Sequence, residues 1–266
     1  MGKKDFRNRR IAVIGNTRLT LKSIVALIEG GFDVRYVFGL PTDLFENKVN
    51  AVSLEGVCSK YNIFLDCSNE WPLFEKECED RGIDLVLTLG DSRIVPANIV
   101  QRYEVVGNHG APLPDVQGGA SLVWGRMLGN GEWGVSIFCL DEKIDSGDIM
   151  CVKYFRYDVA SDMKHFTETA DDVTVCALMS CMNGDFSLKK NSRWKARVAK
   201  HIDSQVGVNI LKLCLESNTP VYMPPRRHVD GQLCPSWAPE FSQSFKVANN
   251  LPYPKWYHKH ATAEEI

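Results

Sequence analysis

Hydrophobic positions fall into two rhythms along the first hundred residues. Ile11 to Ile14 is an unbroken apolar run closed by Gly15, and Leu21, Ile24, Val25, Leu27 and Ile28 then recur at helical spacing until Gly30 and Gly31. A short continuous run suits a buried strand, and apolar residues three and four apart suit a half-buried helix, so the pattern predicts strand, turn, helix. It continues with a strand over 33–39, a helix over 49–61, and a second helix capped by Asn69 and ending near Arg81 and Gly82. The run 85–89 is apolar throughout, as a strand covered on both faces must be. A further strand reaches Val106, and a Gly- and Pro-rich loop occupies 107–119. Beyond it the pattern predicts a helix over 120–128, strands over 134–140 and 149–157 flanking the turn KIDSGD, and an amphipathic helix over 161–182. The polar stretch NGDFSLKKNSRW marks a boundary, after which come a helix over 198–216, the segment PPRRHVDGQLCPS and a tail with Trp256 and Tyr257.

Strands alternating with helices at this spacing imply an α/β, Rossmann-like fold: a mostly parallel sheet flanked by helices, with a short C-terminal extension. The division expected is a catalytic domain over 1–185 and an extension over 186–266 for substrate binding or homodimer formation. Ligands of such sheets bind beyond the carboxyl ends of the strands, which places the chemistry after Gly15, Leu89 and Val106. The first turn, GNTRLTLKS, has one glycine and lacks the GxGxxG of a dinucleotide site, so a nicotinamide cofactor is disfavoured. Its helix N-terminus can receive an anion. Asn16, Thr17 and Arg18 are therefore either substrate contacts or a structural cap.

Charge narrows the partners. With a net charge of −2 over 266 residues and a pI near 6.3, the chain has no broad basic field for a phosphate backbone, and no nucleic-acid partner is expected. The local run Lys189, Lys190, Arg193, Lys195 and Arg197 reads as a solvated surface. The nine cysteines form no CxxC pair and several sit in apolar stretches, which suits small buried hydrophobes in a reducing compartment and neither a disulfide framework nor a metal site. The basic N-terminus leads into IAVIG, too short for a signal peptide or a membrane span. A cytoplasmic chain without a membrane partner is expected.

The strongest chemical signal is the pair of segments GNHGAPLPDVQGGASLVWGRM and GVSIFCLDEKIDSGDI, which set a histidine at a strand's carboxyl end and an aspartate in a later tight turn. Through His109, Gly110, Leu113, Pro114, Gly118, Gly134, Val135, Ser136, Asp145, Ser146, Gly147 and Asp148 the chain resembles the formyltransferase family, over about 10–157. The resemblance implies N10-formyltetrahydrofolate as co-substrate and an amine as acceptor, with Asn108, His109 and Asp145 as the catalytic residues. It also implies a carrier site built from Leu89, Gly90, Asp91, Ser92, Arg93, Ile94, Asp141 and Ile144. Arg93 would meet the carrier's glutamate tail or a substrate phosphate, or lie on the surface.

An amine attacking a formyl carbon generates an oxyanion and a nitrogen that must lose a proton. A histidine can accept that proton near neutral pH, and a facing carboxylate would orient the ring and favour its protonated form. The family's asparagine, however, stands two residues before its histidine, where this chain has Gly107 and carries the asparagine at 108. Adjacent strand side chains point to opposite faces. Either a bulge at Gly107 turns Asn108 toward the formyl oxygen or another donor, such as a backbone N–H, holds the oxyanion; the bulge is the favoured expectation.

Among the family's acceptors, a nucleotide-linked amino sugar fits best, because the compact extension carries PRRHVDGQL and little basic excess. Gly110, Trp124, Arg226 and Arg227, together with Asn16 and Arg18, are its expected contacts, with the arginines and His228 on a diphosphate and Trp124, Trp133 or Tyr222 stacking or packed in the core. Methionyl-tRNA, glycinamide ribonucleotide and hydroxyornithine remain as other acceptors, and hydrolysis of the formyl carrier as another outcome.

Overall fold

A computed structural model of the chain describes residues 6–47, 50–191, 196–200, 202–226, 228–250, 253, 257 and 258. In chain order these form β1 (Arg10–Ile14), α1 (Arg18–Glu29), β2 (Asp33–Phe38), α2 (Glu55–Lys60), β3 (Phe64–Asp66), α3 (Trp71–Asp80), β4 (Leu85–Thr88) and α4 (Ala97–Arg102). There follow β5 (Glu104–His109), β6 (Val116–Gly118), α5 (Ser121–Leu128), β7 (Glu132–Cys139), β8 (Ile149–Arg156) and α6 (Met163–Met182). The remainder is β9 (Ala196–Arg197), α7 (Ser204–Glu216), β10 (Val221–Met223), β11 (Gln232–Leu233), α8 (Pro239–Ala248) and β12 (Tyr257–His258). A seven-stranded, mostly parallel sheet runs β3-β2-β1-β4-β5-β7-β8, as the alternation of strands and helices implied.

The chain divides into two compact units. One holds residues 1–108, 136–153 and 171–191, the other 109–135, 154–170 and 192–266. This differs from the single cut expected after residue 185. Backbone hydrogen bonds exchanged between Ile149 and Lys189, 2.8 and 2.9 Å long, hold the segment after α6 to the first unit.

In the first unit the sheet is covered on both faces, which explains why β1 and β4 are apolar at every position. Ile11, Val13, Leu85 and Leu87 belong to one buried cluster, with Ile24, Leu27 and Leu178. Ala12, Ile14 and Val86 belong to the other, with Phe74 and Ile99. Burying each such side chain contributes about 1.5–3 kcal/mol. In the second unit β6, β10 and β9 form a parallel sheet, with Val116, Gln117 and Gly118 opposite Val221, Tyr222 and Met223.

Four predicted elements are corrected. Helix α2 begins at Glu55, since residues 50–52 pair instead with the turn after β1: Arg18 N–H bonds to Asn50 O at 3.0 Å and Val52 N–H to Asn16 O at 3.0 Å. Asn69 is no cap. It is left-handed at φ +60, Glu70 is the N-cap of α3, and the Asn69 Oδ1 accepts from Arg93. The loop predicted over 107–119 contains the end of β5 and all of β6. Helix α7 starts at Ser204 because the Asp203 carboxylate caps Gln205 and Val206 N–H, at 2.9 and 3.2 Å. Among the described residues no helix is long and apolar enough to cross a membrane, and no group of His, Cys, Asp or Glu is placed to hold a metal ion.

Candidate functional site

In the first unit the carboxyl ends of β1, β2, β4 and β5 are locked together by backbone and hydroxyl contacts. Gly15 N–H bonds to Phe38 O at 3.1 Å and Leu89 N–H to Ile14 O at 2.9 Å. Thr20 Oγ1 donates to Leu89 O at 2.6 Å and accepts Thr17 N–H at 3.0 Å in the box that caps α1. The approach is so close that only glycine fits. A Cβ on Gly15 would lie 2.2 Å from Leu89 O, and one on Gly90, at φ +67, would lie 2.0 Å from Thr17 Oγ1.

Gly90 N–H donates to Asn108 Oδ1 at 2.8 Å. Strands β4 and β5 stay in register through Thr88 and Gly107, without a bulge. A Cβ on Gly107 would meet Leu140 Cδ1 at 2.6 Å and Thr88 Cγ2 at 2.9 Å. Up to Gly107 the ladder has no bulge, and a side chain at 107 would have to displace Leu140 and Thr88. The carboxamide sits one residue later, with its oxygen bonded to the turn after β4 and its NH2 as the donor.

Arg93 is a clamp on the end of β2. Its Nε and Nη2 bond to Asp91 Oδ2 at 3.0 and 2.7 Å, Nη1 to Gly39 O at 2.9 Å and Asn69 Oδ1 at 3.1 Å, and Nη2 to Phe38 O at 3.0 Å. The guanidinium also lies over Phe38 at 4.6 Å. With its donors matched to these acceptors it is not a loose surface side chain. Asp91 serves the same clamp, while Ser92 and Ile94 are exposed, Ile94 at 73%.

The turn after β7 is also pinned. Asp141 accepts Lys143 N–H at 3.0 Å and the Ser146 hydroxyl, and Gly147 packs so tightly that a Cβ would fall 1.7 Å from Cys139 O. Asn191 Nδ2 donates to Asp145 O at 2.8 Å and Gly147 O at 3.2 Å, holding Asp145 at φ +53. Ile144 in this turn is 53% exposed. The side chain of Asn16 also proves structural: its Nδ2 donates to Val52 O at 3.0 Å and its Oδ1 accepts Leu40 N–H at 2.7 Å. Arg18 pairs with the buried Asp171 at 2.8 Å.

In the second unit His109 ends β5, 7% exposed, with Nε2 3.2 Å from Val116 O. A carbonyl can only accept, so the bond places the proton of the neutral ring on Nε2 and the lone pair on Nδ1. Gly110 O accepts Trp133 Nε1–H at 2.8 Å, and a Cβ on Gly110 would press on Ser121 Oγ and Leu122 Cγ at 2.9 and 3.0 Å.

Trp124 and Arg226, expected substrate contacts, lie in intramolecular contacts in the second unit. Trp124 is 2% exposed, donates Nε1–H to Pro224 O at 2.9 Å, and carries the Arg226 guanidinium 5.0 Å from its ring. Arg226 bonds to Ser204 Oγ at 2.9 Å, Asn249 Oδ1 at 3.1 Å and Asp230 O, and burial pulls its pKa down to about 10. Arg227 lies outside the described residues, as do the side chain of His228 and, in the basic run, Arg193 and Lys195. Sequence reasoning missed Asn191 and Val116 as supports of the two catalytic candidates. Each acts through a contact that local pattern does not encode.

A family model described as Formyl transferase matches residues 9–181. The chain is 24% identical over 212 residues to the methionyl-tRNA formyltransferase of Malacoplasma penetrans, a match covering 76% of this chain and 67% of that protein. It spans only 58 to 67% of the length of the first curated relatives it matches. Among solved structures, a methionyl-tRNA formyltransferase from Clostridium thermocellum superposes with a TM-score of 0.64 at 14% identity, covering 95% of this chain and 88% of that one. An N-formyltransferase from Helicobacter canadensis, in complex with folinic acid and dTDP-3-aminofucose, gives 0.60 at 13% identity, covering 90% and 79%.

Proposed function

Because the chain belongs to the formyl transferase family, whose model spans residues 9–181, we propose that it transfers the formyl group of N10-formyltetrahydrofolate to the amine of a nucleotide-linked amino sugar. The observation that carries the chemistry is this match, which runs through both the His109 strand end and the Asp145 turn. His109 takes the proton that the attacking amine must lose, and Asp145 supplies the carboxylate of the pair. The oxyanion falls to the NH2 of Asn108, whose carboxamide is fixed by its bond to Gly90 N–H at 2.8 Å. The turn after β4, with Gly90 left-handed and Ile94 exposed, and the exposed Ile144 suit a flat, partly apolar pterin.

The amino-sugar reading rests on the net charge of −2 and on the likeness to the Helicobacter canadensis enzyme, whose complex holds such a sugar nucleotide. The second reading, methionyl-tRNA, rests on the names of the curated relatives. Incubation with N10-formyltetrahydrofolate and either dTDP-3-aminofucose or initiator methionyl-tRNA, read by mass spectrometry of the acceptor, tests both. A formylated sugar nucleotide with unmodified tRNA is expected. A formylated tRNA alone overturns the acceptor, and formate released without either product overturns transfer itself.

A further inference from the structure

The turn that carries Asp145 is gripped from a second direction by the residues that follow α6. Phe186 and Leu188 pack against the larger apolar cluster, the Phe186 ring 6.0 Å from that of Phe6, so the segment leaving α6 is anchored in the core of the first unit. The next three residues meet the turn one by one. Lys189 exchanges two backbone hydrogen bonds with Ile149, the Lys190 ammonium reaches Asp148 Oδ2 at 2.8 Å, and Asn191 Nδ2 donates to Asp145 O at 2.8 Å and Gly147 O at 3.2 Å. From the β7 side, Cys139 N–H bonds to Asp148 O at 2.9 Å and Gly147 lies against Cys139 O. The contacts of the strap differ in weight. The Lys190 side chain is 90% exposed, so water screens its pair with Asp148. Asn191 is 8% exposed, and losing its NH2 deprives two carbonyls of that donor.

Asp145 sits at φ +53, in a region disfavoured for any residue with a Cβ and filled most easily by glycine. Glycine there would ease the backbone but bring no carboxylate. A position that must carry one needs its conformation held from outside. Asn191 can do this because a single NH2 has two hydrogens, and here they serve the carbonyls on either side of Ser146, which fixes the curvature of the turn. Resting on the transfer reading given above, we propose that Asn191 is a positioning residue for the reaction, fixing the backbone over 145–147 and through it the direction of the Asp145 carboxylate. A catalytic group misplaced by about 1 Å loses about 10²-fold in rate, so a clamp 46 residues away in the chain has a kinetic signature. Asn191 acts only through Asp145, and its effect disappears once that carboxylate is gone.

The test is a kinetic double-mutant cycle on the full chain, with hydrogen exchange of the turn followed in parallel. Asn191→Ala, and Asn191→Asp, which keeps the size but not the NH2, should each lower kcat by about 10- to 10²-fold and change its dependence on pH as Asp145→Asn does. In the Asp145→Asn background the same substitutions should cost less than about 3-fold, because the group they position is absent. Amides over 143–148 should exchange faster in both variants than in the wild type. Additive losses, or an unchanged kcat, overturn the proposal. In the wild type the amides of Ile149 and Lys189, each bonded to the other's carbonyl, should exchange slowly, and rapid exchange there overturns it without any variant. A wild type without turnover removes the transfer reading instead, and a turn whose exchange ignores the loss of Asn191 then overturns the positioning role by itself.

Discussion

The side-chain oxygen of Asn108 accepts the backbone N–H of Gly90 at 2.8 Å, so the last residues of β5 and the turn after β4 hold each other in place. Asn108→Asp keeps an acceptor for Gly90 and removes the NH2, while Asn108→Ala removes both. If the NH2 holds the oxyanion, Asn108→Asp loses about 10² to 10³ in kcat with little change in the KM for the folate. Asn108→Ala should also raise that KM, by roughly 2- to 10-fold for one lost hydrogen bond. Steady-state kinetics of the two variants separate the roles, and an unchanged kcat in Asn108→Asp removes the oxyanion assignment.

His109→Ala is expected to lower kcat by about 10² to 10⁴, because proton transfer is lost. Asp145→Asn should show a loss of similar size and an altered dependence of kcat on pH, since an amide cannot favour imidazolium. Variants with rates within a few-fold of wild type at saturating amine remove the assignment.

The crowding at Gly107 predicts that restoring the family's asparagine there will fail. Gly107→Asn, and even Gly107→Ala, should destabilise by about 1–3 kcal/mol, because the new Cβ meets Leu140 at 2.6 Å and Thr88 at 2.9 Å. Leu140→Ala should recover part of the Gly107→Ala loss in a double-mutant cycle followed by urea denaturation. Additive losses would mean that Leu140 is not what excludes the side chain.

Arg226 predicts a stability phenotype in place of a direct binding one. Arg226→Ala leaves Ser204, Asn249 and Asp230 O without their donor and uncovers Trp124, at an expected cost of about 1–3 kcal/mol. Arg226→Lys should rescue little, since an ammonium cannot reproduce the planar fork. A wild-type melting temperature with a selectively raised KM for sugar nucleotide would return Arg226 to the ligand.

What was legible in the sequence was what local pattern encodes. The runs closed by Gly15 and Gly90 read correctly as strands, because one chemistry, a missing Cβ, ends the run and permits the close approach. Strand β6 was illegible. Three residues in a Gly- and Pro-rich stretch become a strand only through β10, a hundred residues away in the chain. Arg93, Arg226 and Asn16 look alike on paper as polar residues beside expected ligand loops, yet each is tied to backbone carbonyls that no spacing reveals. The departure at Gly107 was visible, but its cause, the side chain of Leu140 on the neighbouring segment, was not.

The pairing of β6 with β10 sets a time order for the histidine. Val116, whose carbonyl receives His109 Nε2, gains its strand partner only when Val221 has been made, and Ala196 joins on the far side of that partner. A ribosome adding about 5–20 residues per second separates the two events by seconds, long after the apolar runs of β1, β2 and β4 can collapse. During synthesis the ring therefore has its strand before it has the carbonyl that selects its tautomer. A nascent chain halted short of β10 would have a folded sheet edge and an untuned base.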